Sequence, residues 1–402
     1  MLTPATETEA AAVIREHAAS KTPLKICGGG TRAGFGNAVA AEAILSSSAL
    51  SGIVEYHPAE MVITARAGTP VAEIEAALAA NGQGMAFEPI DHRGAMGTTG
   101  TPTIGGLFAV NSSGPRRFTA GAARDHLLGV RFVNGAGDVV KAGGKVMKNV
   151  TGLDLVKLLA GSHGTLGFLT EVTFKVLPVA KTFTTLVLSG LEDEQAMKAL
   201  AAAMSLSVEV SGAAHLPESV RGRFIGGKLP EGAATVMRLE GLEASVAVRV
   251  EKLAAAMAGF GPVSRLDDAH SKTLWREIRD VLPYADGTAR PLWRVSMAPS
   301  EAWKLVAGLR LRAGIDAYYD WQGGLVWMRM EADPEAEVLR HGIRTLGGGH
   351  ATLLRAATQI RAEVASFEPQ SPAVALLSAR VRAKLDPHGI FNPGLMAQGV
   401  LS

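Results

Sequence analysis

The chain reads as an α+β protein of two domains, the first built to grip a ligand with its backbone and the second a sheet with helices on one face. Three observations point there. At 402 residues it exceeds what one hydrophobic core usually holds. Three glycine-rich stretches, Gly28–Thr31, Thr98–Gly121 and Gly161–Gly167, fall in the first half and carry almost no side-chain bulk. Past Pro178 the texture changes to alternating strand patterns and alanine-rich helices.

Taken in order, residues 6–20 form a helix, with Glu7 and Glu9 in the first turn and Arg15 and His17 near the end, as the helix dipole favours. Strands are expected at 23–27, at Ile44–Leu45, at 52–54 and over 61–68. Thr69-Pro70 opens a helix to Ala80 whose Ile74 and Leu78 share a face. Residues 128–133 and 138–141 flank Asn134-Gly135-Ala136-Gly137 and read as a hairpin. A helix over 154–159 and a strand over 168–176 close the first half. The second half predicts strands at 182–188, 235–239, 292–297, 317–321 and 325–330, with helices at 192–204, 244–258, 301–311, 334–346 and 373–385. No internal repeat or low-complexity linker is visible.

The composition excludes several classes. The formal net charge of +2 is spread without a basic block, which argues against nucleic-acid binding. Cys27 is the one cysteine, so no intramolecular disulfide forms and a reducing, cytoplasmic compartment is expected. No signal peptide and no run able to span a bilayer is seen.

Glycine loops let backbone approach a ligand closely and aim N–H groups at it. The loop Gly28-Gly29-Gly30-Thr31 follows a strand, with Gly34 and Gly36 soon after; it reads as a phosphate cradle or as an ordinary connection. No G-x-x-x-x-G-K-[ST] and no complete G-x-G-x-x-G between strand and helix is present, so a P-loop and a Rossmann site are excluded. The three loops are expected to converge on one large anionic cofactor.

Thr103-Ile104-Gly105-Gly106 followed by Asn111 and Gly114, and Gly161–Gly167 followed by Leu169-Thr170-Glu171, together with the first loop, resemble the FAD-binding domain of the vanillyl-alcohol oxidase/p-cresol methylhydroxylase (PCMH-type) flavoproteins over residues 22–178. Further segments narrow the resemblance: Gly114-Pro115-Arg116-Arg117, Arg124-Asp125, Val146–Val150 with Lys148 and Asn149, Gly348–Thr352, and Asp386-Pro387-His388-Gly389-Ile390-Phe391-Asn392-Pro393-Gly394. These resemble the FAD-binding E-subunit family of bacterial glycolate oxidases. The resemblance implies a PCMH-type two-subdomain FAD domain (1–178), an α+β, ferredoxin-like cap (179–370) and a C-terminal segment (371–402) that returns to the first domain. It implies FAD contacts from Gly28, Gly29, Gly30, Thr31, Pro89, Thr103, Gly105, Gly106, Asn111, Gly114, Arg124, Gly164, Thr165, Gly167 and Leu169. It implies glycolate oxidation within a complex holding a homologous FAD subunit and an iron–sulfur subunit, peripheral to the membrane at most. The first loop lacks the histidine that tethers flavin in some members, so FAD is expected to be non-covalent, with Cys27 a packing residue. The stretch from Phe87 to Gly100 is longer and looser than the family's flavin-proximal turn.

Oxidising a 2-hydroxy acid needs a hydride acceptor, a base for the hydroxyl and a cation for the carboxylate. The metal-binding signature of related hydroxy-acid dehydrogenases is missing, and His341 and His350 lack ligand spacing, so no metal is expected. His350 is the base candidate and Arg355 the carboxylate candidate, against a plain reading as a hydrogen-bonded strand histidine and a solvated arginine. Arg294, beside Trp293, is a second cation or an interface residue. Arg116 and Arg117 either neutralise ligand charge or face solvent, and Tyr318, Tyr319, Trp321 and Trp327 form an aromatic cluster of core or interface type. Three functions are compatible: an electron-relaying FAD subunit whose partner oxidises the substrate, a stand-alone FAD-dependent 2-hydroxy-acid dehydrogenase, and a scaffold that has lost FAD.

Overall fold

The computed structural model describes residues 1–145 and 153–396. The Val146–Val150 segment lies outside them. Helix Glu7–Ser20 is capped by the Thr6 side chain and stopped by Lys21 in the left-handed region. Its buried face, Ala10, Ala11, Ile14 and Ala18, packs with Leu24, Leu45, Val133, Phe168, Ile390 and Phe391 into one small core. The parallel strands Leu24–Cys27 and Ala43–Ser46 belong to this core.

A second core lies on a five-stranded antiparallel sheet, in the order Ile53–His57, Val62–Arg66, Phe168–Lys175, Leu127–Val133 and Val139–Gly143. Helix Val71–Ala79 contributes Ile74 and Leu78 to it, as their spacing predicts. The Leu127–Val133 and Val139–Gly143 strands form the expected hairpin; the Asn134 side-chain oxygen accepts from the amides of Ala136 and Asp138, and Gly137 adopts φ +82°. A Gly-x-Gly pair here makes a turn, not a cofactor loop.

The second half forms one eight-stranded antiparallel sheet with the order Val263–Leu266, Thr182–Ser189, Ala234–Gly241, Gly212–Leu216, Ile315–Asp320, Leu325–Met330, Leu292–Met297 and Gly349–Arg355. In chain order each half of this sheet runs strand, helix, strand, strand, helix, strand, with the fourth strand beside the first and the third between first and second. Both halves are therefore ferredoxin-like, joined through Gly212–Leu216 and Ile315–Asp320, where His215 pairs Tyr319. This corrects the expectation of no internal repeat: the duplication is structural, and helix Asp268–Arg279 links the copies. Helices Asp193–Met204, Glu243–Met257, Pro299–Arg310 and Ala336–Thr345 cover one sheet face. The other face, with Leu292, Tyr318, Trp321 and Trp327, meets Ile90, Ala95 and Met96 of the first half.

After Arg355 the chain returns to the first half. Asn37 Oδ1 accepts from the Ser366 amide, and Arg361 donates to the Gly36 carbonyl. Helix Pro372–Leu385 leads to a turn in which Asp386 accepts from the amides of Ile390 and Phe391. Phe391 then pairs in parallel with Leu24.

Candidate functional site

The three glycine loops line one crevice of about 490 Å³ between the two small cores. Gly28, Gly29, Gly30 and Thr31 form one wall, Thr103, Gly105 and Gly106 a second, and Ser162, His163, Gly164, Gly167 and Leu169 a third. The loops touch through atoms a side chain would displace: a Cβ on Gly28 would sit 2.4 Å from Thr103 Oγ1, and one on Gly105 2.6 Å from Ala67 Cβ. Gly30, at φ +79°, has nothing within 4 Å of its virtual Cβ and leaves that side of the loop open.

The crevice walls are held by the C-terminal turn. Asn392 Oδ1 accepts from the Ile26 amide at 2.8 Å, and its Nδ2 donates to the His163 carbonyl at 2.9 Å, so one amide joins the strand before the first loop to the third loop. Asn392→Leu removes both bonds and leaves half-buried backbone groups without their partner; we expect flavin affinity to fall about tenfold or more with helix content unchanged, read as flavin retained after gel filtration.

The remaining predicted contacts stand apart from the crevice wall. Pro89 lies behind it, beside Ile90, whose amide donates to Ser112 Oγ. Asn111, at φ +52°, accepts the Arg124 amide on its Oδ1, while the Arg124 side chain is exposed. Gly114 is packed on Glu88 and receives Trp321 Nε1–H on its carbonyl. Thr165 is buried and donates to the Ser162 carbonyl, closing the third loop's turn. These residues shape the loops from behind.

Of the catalytic candidates, His350 is exposed on the edge strand opposite Ser296 and lines no part of the crevice. Arg355 is buried and occupied: it donates to the carbonyls of Ala95, Tyr284 and Arg290 and lies 3.3 Å from Asp286. It clamps chain segments together and is not solvated. Arg294 differs. It projects from the sheet face that meets the first half, 5.0 Å from the centre of the Trp321 ring, and Arg117 lies 4.7 Å from the same ring. Burial, together with the charge of Arg117, pulls the Arg294 guanidinium down to about 10. Arg116 instead pairs with Glu240 at 2.7 Å. The aromatic group is core: Tyr318, Tyr319, Trp321 and Trp327 are all buried.

Two residues escaped the sequence reading. Arg32, directly after the first loop, lines the crevice and donates from Nε to His92 Nδ1 at 3.2 Å. Burial, then the charge of Arg32, holds His92 well below its usual value, and the same two causes hold His163 at about 4. Both imidazoles are neutral near pH 7. His92 lies in the stretch that looked loose from the sequence; its partner is sixty residues away, and no local pattern marks the pair.

Asp320 ends a strand at this junction. Burial pushes its carboxyl up to about 7, against the Trp321 amide it accepts and with Glu88 adding repulsion. The folded protein thus holds a proton that an unfolded carboxyl of 3.8 releases. Its contribution to stability is present below the unfolded value and is lost as pH rises toward the folded one. His92 and His163, lowered on folding, tilt stability the other way in this window. Asp320→Asn isolates the effect: its melting temperature relative to wild type is expected to rise from about pH 5 to about pH 8, and a difference independent of pH would refute the assignment.

The comparisons with known proteins bear on this site directly. Residues 1–143 match the FAD binding domain family. Glycolate oxidase subunit GlcE of Escherichia coli (strain K12) is 35% identical over 387 residues, covering 95% of each chain. The chain belongs to the family of the glycolate oxidase subunit GlcE. Glycolate oxidase subunit GlcD of Bacillus subtilis (strain 168) is 44% identical over 85 residues, 21% of this chain and 18% of that one. The solved structure of p-cresol methylhydroxylase with substrate bound superposes with a TM-score of 0.72 at 14% identity, covering all of this chain and 89% of that one. The fold is therefore PCMH-type, an FAD-binding α+β region followed by an α+β cap, and FAD is the cofactor of this oxidoreductase family. The crevice fits it: backbone comes forward on three sides without side chains in the way, and Arg32 supplies a cation on the wall.

Proposed function

We propose that this chain is the FAD-binding subunit of a glycolate oxidase complex, oxidising glycolate to glyoxylate and passing electrons to partner subunits. The observation that carries the reading is the similarity to GlcE over 95% of both chains. The match to GlcD supports a homologous FAD subunit as one partner; the iron–sulfur subunit rests on the family resemblance. Residues 1–178 serve as the FAD domain, 179–370 as the cap and 371–402 as the returning segment. No helix among the described residues is long and apolar enough to cross a membrane. We place the complex in the cytoplasm or peripheral to the inner membrane.

In this reading the glycine loops hold the FAD diphosphate and Asn392 fixes the distance between two of them. FAD supplies the hydride acceptor when bound. Arg294 takes the substrate carboxylate, the one member of the predicted catalytic trio whose guanidinium has no carboxylate, hydroxyl or carbonyl partner among the described residues. The bond to FAD is non-covalent: acid precipitation is expected to leave the flavin in the supernatant, and flavin in the pellet overturns this point. The function is tested by co-purification from cells with flavin and iron measured per chain, followed by glycolate-dependent dye reduction. A complex containing iron and active on glycolate is expected. A chain that purifies alone and turns over another hydroxy acid by itself refutes the reading. Rapid bleaching of the isolated subunit's flavin by glycolate is expected, because Arg294 takes the substrate in this chain; a flavin that glycolate bleaches only in the assembled complex would hand substrate oxidation to the partner and leave this subunit an electron relay.

A further inference from the structure

Helix Pro372–Leu385 of the returning segment has no buried residue along its length, and every residue from Pro369 to Arg380 is exposed. Its sequence does not suit that position. No charge falls between Glu368 and Arg380, and Val374, Leu376 and Leu377 are 49%, 65% and 60% exposed. A helix of this length is marginal on its own turns and draws its stability from packing. Both ends of the segment are nonetheless fixed. At the far end Leu385 packs on the core of the five-stranded sheet, its carbonyl accepts the Gly135 amide at 2.8 Å, and Arg382 donates to the Phe391 carbonyl at 2.9 Å. At the near end Phe367 stacks on Phe35, and the Ser366 amide donates to Asn37.

The placement of the side chains tells what kind of surface covers such a helix. Val374, Leu377, Val381 and Leu385 share one stripe at helical spacing. Val381 and Leu385 are half-buried, so the stripe that seats the end of the helix runs on, unpartnered, to Leu377 and Val374. Leu376 lies about 100° round the helix from Leu377 and about 160° from Val374, so apolar surface faces two ways. A helix lying on a bilayer buries one face; a groove encloses both. The charge has one sign. Arg380, Arg382 and Lys384 stand in the last turns, and no acidic residue lies between Glu368 and Asp386. Among the described residues no carboxylate is within ion-pair distance of Arg380 or Lys384. A second copy of the chain would set like charge against like, whereas an acidic surface complements it.

We propose that the first turns of helix Pro372–Leu385 dock into an apolar groove, rimmed by carboxylates, on the homologous FAD subunit. Val374, Leu376 and Leu377 fill the groove, and Arg380 and Lys384 pair with its rim. The fixed ends present the helix already formed, so little ordering is left to offset on binding. The inference rests on the proposed function only for the partner's identity: of the two partners named there, the homologous FAD subunit is the one that the match to GlcD supports. No residue of Pro372–Leu385 lines the cofactor crevice, so docking and flavin binding are separable.

The test is to co-express the chain with the homologous FAD subunit and isolate the pair through a tag on this chain. Leu376→Glu with Leu377→Glu is the deciding variant. Both side chains are exposed and glutamate is a good helix former, so the variant alone should keep its circular dichroism and its flavin. Its affinity for the partner should fall by at least about 100-fold. Arg380→Glu with Lys384→Glu should weaken the pair about tenfold or more and flatten its dependence on salt. Hydrogen exchange decides without any variant: the amides of residues 373–380 should exchange fast in the free chain and become protected in the pair. A wild-type chain that forms no pair, equal retention of the partner by wild type and the leucine variant, or no protection of the helix overturns the proposal. A wild-type chain that dimerises through these leucines, or binds phosphatidylglycerol vesicles through them, also overturns it, because a second copy or a bilayer is then the occupant. Protection that appears only when the iron–sulfur subunit is added overturns the choice of partner. A helix-dependent pair inert toward glycolate would leave the docking surface standing and remove the proposed function; an active pair indifferent to the leucines would do the reverse.

Discussion

Arg238→Met is expected to destabilise the protein by about 3–5 kcal/mol, the usual result of removing one partner from a buried ion pair. Arg238 is 2% exposed, on a strand of the large sheet, and its guanidinium reaches into the first half. Nη1 and Nη2 donate to the two Glu88 oxygens at 2.8 and 3.1 Å, and Nε donates to Ser211 Oγ and lies 3.5 Å from Glu240. Glu240 pairs in turn with Arg116, whose amide donates back to Glu88. The four residues close a ring with two members on each side of the junction. Methionine would stay well packed on Trp275, which Arg238 now overlies, so the loss reports charge and not volume. What remains is a half-buried Glu88 beside Asp320, and Glu240 with one cation fewer. Urea midpoints at saturating FAD would measure it. Adding Glu88→Leu should recover part of the loss, because the stranded charge is then gone. A single-variant loss under about 1 kcal/mol would mean the ring is solvated and contributes no more than a surface pair.

The cofactor site was more legible in the sequence than the substrate site, for a physical reason. A cradle made of backbone announces itself by missing side chains, so Gly28–Thr31, Thr103–Gly106 and Gly161–Gly167 could be read locally, and they do meet in one crevice. Arg32 and His92 carry no such mark; each looks like an ordinary polar residue until the fold places them 3.2 Å apart. Arg355 shows the opposite failure. Following His350 on the same strand it looked available, but its Nε and Nη1 donate to three carbonyls and its Nη2 faces Asp286 at 3.3 Å. In the fold, Gly212–Leu216 was missed because all five residues are buried, so there is no alternation to detect. Helix Asp268–Arg279 was missed although Asp267 caps it, because only Leu274, Trp275 and Ile278 mark its apolar side amid charge. With two strands of the first ferredoxin-like unit unseen, Gly212–Leu216 and Val263–Leu266, the duplication could not be seen either.

Gly29→Val is expected to yield a folded chain nearly free of flavin, below about a tenth of wild-type occupancy. A Cβ on Gly29 would fall 1.7 Å from the Thr101 carbonyl oxygen and 2.7 Å from its carbon. Those atoms are backbone and cannot rotate aside. The Gly29 carbonyl also receives the Thr101 amide at 3.1 Å, and a Cβ on Gly100 would meet that same carbonyl at 2.2 Å, so the first and second loops interlock through bare backbone. Forcing them apart moves Thr103, Gly105 and Gly106, which follow within five residues and line the opposite wall. Gly30→Ala is the matched control. Its φ of +79° makes alanine strained by about 1 kcal/mol, but its Cβ meets nothing within 4 Å, so occupancy should fall only modestly. Flavin absorbance per chain, with far-ultraviolet circular dichroism to verify folding, measures both variants. Equal losses at the two positions would mean that backbone strain, and not the closeness of the loops, governs how the crevice holds its cofactor.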